Sequence, residues 1–412
     1  MDVLYERCCG LDVHKKTVVA CVLTPGTPGQ PQKAVRTFGT MTADLLALAD
    51  WLAAAGVTHV TLESTGVYWQ PVWNLLEDRF TLLLANAQHV QQVPGRKSDV
   101  RDAEWLAQLL RHGLVRASFV PPRPQRELRE LTRYRTALVQ ERSTAVNRLQ
   151  KTLEGANVKL AAVASNVVGL SGRQMLTALV AGTTDAPTLA GLAQGKLRAK
   201  RAQLEQALTG SFGAHHRFLV AQHLVHIDSL DEQLAAVSAE IAERLRPFED
   251  ALDRLDGIPG IGRYTAEVLL AELGTDMDRF PSAGHAASWA GLCPGQYESA
   301  GKRRSGKTRK ANPWLRAALV EAAQGAARTQ GSYFAAHYRR IARHRGRKRA
   351  LVAGAHSLLV RVYYLLRRGT TYEDLGAEYF AERDHARLQR HHVHQLEQLG
   401  FAVTLTPKDP AA

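Results

Sequence analysis

Cysteine, aromatic residues and long hydrophobic runs are scarce in this 412-residue sequence. Its 4 cysteines are not spaced as pairs of zinc ligands, and we expect them to be small buried residues. They are Cys8, Cys9, Cys21 and Cys293. No run approaches the roughly 18 apolar residues of a membrane span. The opening MDVLYERCCGLDVH lacks the basic flank and apolar stretch of a secretory signal, so we expect a cytoplasmic protein without a membrane anchor.

The overall composition is that of a folded, basic protein. Hydrophobic residues make up 45% of the chain, and its length is enough for two or three domains. The formal net charge is +14 and the pI is about 9.8, which favours a large polyanionic partner, with nucleic acid the leading candidate. The alternative is that the charge serves only solubility.

The first 120 residues alternate between strand and helix patterns. Strands are predicted at Cys8–Val13, Thr17–Leu23, Ala34–Phe38, Val57–Leu62 and Thr81–Leu84, and helices at Ala43–Ala55, Val67–Leu76 and Asp99–Arg111. Three consecutive strands followed by alternating helices and strands predict a mixed sheet covered by helices. This α/β order resembles a ribonuclease-H-like fold.

Four acidic residues fall at the ends of these elements. Asp12 lies in the first predicted strand and Glu63 directly follows the fourth, while Asp99 and Asp102 share one face of the last helix. We expect the four carboxylates to converge and to bind Mg²⁺, since clustered carboxylates need a cation to stay ionised. Taken singly, each has an ordinary alternative as a helix cap, a strand end or an exposed loop carboxylate.

The middle of the chain is predicted to be helical. Pro121, Pro122 and Pro124 mark a boundary, and strand patterns disappear as far as about Leu255. A seam with coiled-coil spacing runs through Ile227, Leu230, Leu234, Val237 and Ile241. The seam fits a dimer interface, an intramolecular antiparallel hairpin of two long helices, or both together. The stretch Gly155–Gly195 has no firm periodicity.

The third region opens with a glycine-rich turn, GIPGIG, before a helix predicted at Tyr264–Leu273. This pattern is typical of a helix-hairpin-helix, in which Gly260 and Gly262 let the backbone approach a phosphate at the helix start. A glycine-rich turn between packed helices would have a similar sequence.

A basic segment, ESAGKRRSGKTRK, follows with the composition of a loop. Its cations suit a DNA backbone and are Lys302, Arg303, Arg304, Lys307, Arg309 and Lys310. Ser299 and Ser305 are its two serines, and we expect either to be activated from elsewhere, by the acidic site. The alternative is a solvated basic loop with ordinary serines. A second basic run at 343–349 is also expected to contact phosphates.

Several motifs in one order identify a resemblance. They are GLDVHKKTV, LESTGVYWQPVWNLLE, NAQHV with PGRKSDVRDAEWLAQLL, GIPGIG, and ESAGKRRSGKTRK. Together they closely resemble the insertion-sequence 110/116/902 family of DEDD transposases. The resemblance covers roughly residues 5–120 and 250–330, while the helical middle matches mainly in character.

The resemblance implies three domains. These are a RuvC-like catalytic domain at 1–120, a helical coiled-coil and oligomerisation region at 121–250, and a mainly helical transposase domain with a helix-hairpin-helix at 251–412. Asp12, Glu63, Asp99 and Asp102 then match the family's Mg²⁺ or Mn²⁺ ligands, and Ser299 matches its nucleophile. Lys97 and the cations of the basic segment are expected to contact nucleic acid.

The function implied is a transposase that cuts and rejoins donor and target DNA through a serine–DNA link. Members of the family are similar in using a noncoding guide RNA and in acting as homo-oligomers with composite sites. A transposase of this kind is expected in the cytoplasm of a bacterial cell, associated with the nucleoid. Two alternatives remain open. One is a metal-dependent nuclease resembling a Holliday-junction resolvase, and the other is a non-catalytic nucleic-acid-binding protein.

Overall fold

The computed structural model describes residues 2–27, 30–63, 66–85, 99–295, 297–299, 301–308 and 311–406. Within these ranges the backbone alone is described for Asp99, Val100, 297–299, Arg303, Arg304, 381–382 and 384–388. Contacts within the chain divide it into two units, residues 1–123 and 124–412.

The first unit is built on a six-stranded mixed sheet in the order β3-β2-β1-β4-β5-β6. The strands are β1 (Cys8–Val13), β2 (Thr17–Thr24), β3 (Gln32–Gly39), β4 (His59–Glu63), β5 (Thr81–Ala85) and β6 (Ala117–Ser118). The first three are antiparallel neighbours, whereas β4 runs parallel to both β1 and β5. The predicted mixed sheet is confirmed, and its five predicted strands lie within two residues of the expected positions.

Helices cover both faces of this sheet. They are α1 (Thr42–Ala54), α2 (Trp69–Leu76) and α3 (Asp99–Arg111). Side chains alternate along β1, so Cys9, Leu11 and Val13 pack in the larger core with α1 and α2. Cys8 packs instead with α3, on the opposite face.

Three of the cysteines are buried as expected, and one is not. Cys8, Cys9 and Cys21 are fully buried, and burial raises the pKa of the Cys8 thiol to about 11. Cys293 is only partly buried, because it packs against a helical core of the second unit without being enclosed by it. The prediction is therefore wrong for Cys293.

The described part of the second unit is helical apart from one short hairpin. Its helices are α4 (Arg123–Gly155), α5 (Leu160–Val163), α6 (Leu170–Val180), α7 (Ala186–Gly191), α8 (Arg201–Leu208), α9 (Ala214–Leu245), α10 (Glu249–Asp256), α11 (Arg263–Leu273), α12 (Ala283–Trp289), α13 (Pro313–Ala326), α14 (Tyr333–Arg345), α15 (Arg347–Arg368) and α16 (Tyr379–Gln398). The hairpin consists of β7 (Tyr297–Ser299) and β8 (Lys302–Ser305). It replaces part of the segment that the sequence predicts as a loop.

The two long helices α4 and α9 pack as an antiparallel pair within the chain. Glu127 near the start of α4 bonds Arg244 near the end of α9, and Thr152 near the end of α4 meets His223 near the start of α9. Of the seam residues, Ile227 and Leu230 are buried in one core and Ile241 in another. The seam is therefore occupied inside one chain, in agreement with the intramolecular alternative.

The described residues of this unit form two cores. One includes α5 to α8, so the stretch without periodicity forms short helices that pack against the α4–α9 pair. The other core contains the start of α4, the end of α9 and the helices from α10 to α15. Tyr363 is its largest fully buried side chain. A mixed α/β unit followed by a helical one is compatible with a RuvC-like domain and a helical transposase domain. Among the described helices, none is long and apolar enough to cross a membrane.

Candidate active site

Asp12 and Glu63 lie side by side at the carboxyl ends of neighbouring parallel strands. The last residue pair in the β1–β4 register is Leu11 with Leu62, and the two acidic residues come next on each strand. Residues at matching positions of parallel strands point to the same face of the sheet. Asp12 points to the face of the sheet opposite that of Leu11. Helix α3 covers the face to which Asp12 points.

The other two predicted acidic residues lie at the start of helix α3. Cys8 Sγ lies 3.6 Å from the carbonyl oxygen of Ala107, and the Cα of Gly10 faces the backbone of Ala103 and Ala107. From Cys8 to Gly10, β1 therefore runs alongside α3 in the direction of the N-terminus of that helix. Two residues further along β1 is Asp12. On α3, Asp102 directly precedes Ala103, and Asp99 lies about one turn before it.

The electrostatic setting of Asp12 includes a residue that the sequence analysis missed. The Asp12 side chain is only 14% exposed, and its Oδ2 lies 3.1 Å from Nε2 of His14. The two residues are two positions apart, the spacing that puts side chains on one face of an extended chain. That spacing in the segment LDVHK is the signal that points to His14.

The donor chemistry of these residues suits a hard divalent cation, because Mg²⁺ prefers carboxylate oxygens. Asp12, Glu63 and Asp102 are each partly buried, so their charges are less screened than those of surface residues. The side chain of Asp99 lies outside the described ones. Among the side chains that are described, no group of three or more His, Cys, Asp or Glu is close enough to hold a metal ion.

Ser299 lies at the end of β7, next to the turn of the hairpin in the second unit. It is paired with Lys302, and Gly301 adopts a φ of +70° between them, a conformation that glycine takes without strain. The side chains of Ser299, Arg303 and Arg304 are not among those described. Lys97, Arg309 and Lys310 lie outside the described residues altogether.

The base of the hairpin is held by hydrogen bonds. Gly295 N donates to the carbonyl of Lys307 at 2.8 Å, and Arg316 on α13 donates to Thr308 Oγ1 at 2.7 Å. Ser305 Oγ accepts from the Lys307 N–H at 3.2 Å, while the side chains of Lys302 and Lys307 are exposed. The basic segment therefore has a fixed base and presents cations to solvent.

A buried ion network fixes the C-terminal end of this segment, and sequence analysis did not find it. Glu272 has no exposed surface and accepts two bonds from Arg133 of α4, at 2.7 and 2.9 Å. It also accepts from Asn312 Nδ2 at 2.6 Å. Asn312 Oδ1 in turn caps the first turn of α13.

The glycine-rich turn between α10 and α11 contains one glycine that packing requires. Gly260 has a φ of +85°, and a Cβ there would lie 2.2 Å from the carbonyl oxygen of Ala322 on α13. This contact fits the alternative of a turn between packed helices. Gly262 is the N-cap of α11, and the nearest atom to a Cβ there is Asp256 Oδ1 at 3.9 Å.

Comparison with known proteins yields two family matches. Residues 9–158 match a transposase family of the DEDD type, and residues 252–339 match a family described as "Transposase IS116/IS110/IS902 family". The chain belongs to the IS116/IS110/IS902 family of transposases. The first matched range contains all four acidic residues, and the second contains Ser299 and both turn glycines.

Curated relatives agree with this family. A 44.8 kDa protein of insertion element IS116 from Streptomyces clavuligerus is 31% identical over 55% of this chain and 62% of its own length. A probable family 20 transposase of Pseudomonas aeruginosa is 24% identical over 65% of this chain and 71% of its own. A 43.6 kDa protein of insertion element IS110 from Streptomyces coelicolor is 32% identical over 36% of each chain. The chain thus spans less than two thirds of the first of these relatives.

The positive charge of this family member is concentrated in one stretch. Residues 1–123 carry 12 Lys and Arg against 11 Asp and Glu, so nearly all of the +14 belongs to the second unit. Within that unit, residues 301–349 contain 15 Lys and Arg and a single acidic residue, Glu321. The stretch from β8 to the start of α15 therefore has a formal charge of +14, which equals the formal net charge of the whole chain.

Proposed function

We propose that this chain is a transposase that cuts and rejoins DNA in the cytoplasm, using a carboxylate cluster of the first unit and Ser299 of the second. The observation that carries the proposal is that Asp12 and Glu63 each directly follow the last β1–β4 residue pair, on the face of the sheet that α3 covers. Its family membership supports DNA as the substrate.

In this proposal Asp12, Glu63, Asp99 and Asp102 hold a divalent cation, Mg²⁺ or Mn²⁺. When bound, such a cation supplies charge stabilisation at the phosphate that reacts. The carboxylates themselves set the position of that charge, and His14 keeps the Asp12 carboxylate oriented through its hydrogen bond.

The serine step exchanges one phosphate ester for another. Ser299 Oγ forms a bond to phosphorus, one strand oxygen leaves as a hydroxyl, and the serine proton passes to a nearby base or to that oxygen. A strand hydroxyl then attacks the phosphoserine, which restores the serine. Because the number of ester bonds is conserved, rejoining needs no ATP.

Two partners belong to the same proposal. Target choice is assigned to a noncoding guide RNA, and the active site is assembled in a homo-oligomer, from the carboxylates of one subunit and the serine of another. Lys97, the turn glycines and the cations of the basic segment bind the nucleic acid without reading its sequence.

Trapping the covalent intermediate tests the proposal. The full chain is mixed with Mg²⁺, the DNA flanking its gene and the RNA transcribed beside it, and adducts are separated under denaturing conditions. We expect an adduct with the wild type and with Ser305→Ala, and none with Ser299→Ala, because only Ser299 supplies the attacking oxygen.

Three results would contradict it. An adduct that survives Ser299→Ala and disappears in Ser305→Ala would move the nucleophile to Ser305. Strand scission without any adduct would instead favour a hydrolytic nuclease, in which the carboxylates activate water. Metal-independent binding without scission would favour a non-catalytic nucleic-acid-binding protein.

A further inference from the structure

A groove of about 1530 Å³ lies in the second unit, between the base of the hairpin and helices α14 and α15. Ser305 and Lys307 lie on the hairpin side, and Arg345, Lys348 and Val352 on the helical side. Small-molecule sites have volumes of roughly 300–1,000 Å³. The groove is therefore large enough for a short stretch of a polymer.

The lining of the groove is strongly basic. It contains Lys307, Arg316, Arg345, Lys348 and Arg349, and no acidic residue is found among the described residues that form it. Arg345, Lys348 and Arg349 are exposed, and in the described part of the chain no carboxylate forms an ion pair with them. Their charges are available to a ligand.

The start of α15 places cations where they oppose helix stability. Arg347, Lys348 and Arg349 occupy the first turn, and the N-cap residue Gly346 provides no side-chain bond to the helix. A positive charge at a helix N-terminus is unfavourable, whereas an anion there is favourable, because the N-terminal end of the helix dipole is positive. Such a local conflict is expected where a sequence serves binding rather than stability.

The other polar groups of the groove suit a phosphate and sugar backbone better than bases. Within the described lining there is no Phe, Tyr or Trp on which a base would stack. His337 and His356 have pKa values lowered by burial, so Lys and Arg supply the charge at neutral pH. His337 Nε2 lies 3.3 Å from Ser357 Oγ, and both residues line the groove.

We propose that this groove holds the phosphodiester backbone of a nucleic-acid strand and directs that strand toward the hairpin that carries Ser299. This inference rests on the proposed function, and it assigns a binding surface that continues past the family match, which ends at residue 339. The hairpin provides the link, since Ser305 in the groove wall is paired with Tyr297, two residues before Ser299.

The salt dependence of binding tests the groove. The full chain carrying Ser299→Ala, without metal, is titrated with 30-nucleotide mixed-sequence probes of duplex DNA, single-stranded DNA and RNA. The test variant adds Arg345→Ala, Lys348→Ala and Arg349→Ala. The control adds Lys196→Ala, Arg198→Ala and Lys200→Ala, which are exposed and remove the same charge elsewhere in the unit.

For the groove variant we expect the slope of log K against log salt to fall by about 2–3, since each lost phosphate contact is worth roughly 0.7–0.9. The control slope should not change. The probe with the largest fall identifies whether the strand is DNA or RNA.

Equal slopes in the groove variant and its parent, with binding intact, would overturn the groove and leave the proposed function standing. Equal falls in the groove and control variants would also overturn it, because the effect would then be one of net charge. Failure of the parent chain to bind any of the three probes would contradict both proposals.

Discussion

At the residue scale, Gly10 is the position on which the geometry of the acidic site most depends. A Cβ at Gly10 would lie 2.3 Å from the carbonyl oxygen of Ala103 and 2.4 Å from the backbone nitrogen of Ala107. Both atoms belong to helix backbone, which cannot move aside as a side chain can. The close approach of α3 to β1, and with it the position of Asp102, therefore requires glycine.

We predict that Gly10→Ala destabilises the first unit by about 1–3 kcal/mol, the usual cost of overpacking a core. Gly155→Ala is the matched control, because no atom lies within 4 Å of a Cβ there. That change should be neutral or stabilising by up to about 1 kcal/mol, as Ala is the better helix former. Urea unfolding followed by circular dichroism measures both, and equal effects would contradict the packing argument.

Other single residues show why the sequence predicts some features and not others. Leu128 and Leu138 lie on α4, and both are buried, as the apolar residues of an amphipathic helix usually are. Arg135 lies on the same helix, is 4% exposed and pairs with the buried Glu267 at 2.6 Å. Arginine is rarely buried unless it is paired with an acidic residue. The burial of Arg135 depends on Glu267, which lies on another helix. A single sequence does not reveal that these two residues are in contact.

At the scale of elements, short elements were the ones that sequence patterns did not reveal. Strand β6 has two residues, too few to show an alternation. Strand β7 is Tyr-Glu-Ser and strand β8 is Lys-Arg-Arg-Ser, so neither has a hydrophobic period that a sequence pattern could reveal. The catalytic roles of Asp12, Glu63, Asp99, Asp102 and Ser299 all stay predictions. For Asp99 and Ser299 the side chains are not among those described.

Helix α13 depends on its first residue, which connects the helix to the buried network. Asn312 caps two backbone N–H groups with its oxygen and donates from its nitrogen to Glu272. Loss of a cap costs about 0.5–2 kcal/mol, and a buried acceptor that loses a donor costs about 1–3 kcal/mol. One side chain thus stabilises both the helix start and the network behind the basic segment.

Two substitutions of Asn312 separate these contributions. Asn312→Ser keeps an acceptor for the cap and loses the amide donor, whereas Asn312→Ala loses both. We predict unfolding free energies in the order wild type, Ser variant, Ala variant, measured by denaturant titration of the full chain. Indistinguishable Ser and Ala variants would mean that the cap contributes nothing, and two variants as stable as the wild type would contradict the network as well.

At the scale of the whole molecule, charge and chemistry belong to different parts of the chain. The first unit contains the acidic residues of the candidate site and has a formal charge of +1, while residues 124–412 carry +13. Nucleic-acid affinity without metal should then come from the second unit, since phosphate contacts by Lys and Arg supply most non-specific binding.

This division predicts that cleavage and binding are lost separately. In Asp12→Asn with Asp102→Asn we expect strand cleavage to fall by about a hundredfold or more, because the charge stabilisation that the carboxylates support is worth several kcal/mol. Affinity for the same DNA in the presence of a chelator should stay within about twofold, as these residues lie outside the basic stretch. Cleavage gels and fluorescence anisotropy measure the two quantities. A variant that loses affinity as steeply as cleavage would show that the acidic residues support DNA binding or folding instead, and one that cleaves at the wild-type rate would remove them from the reaction.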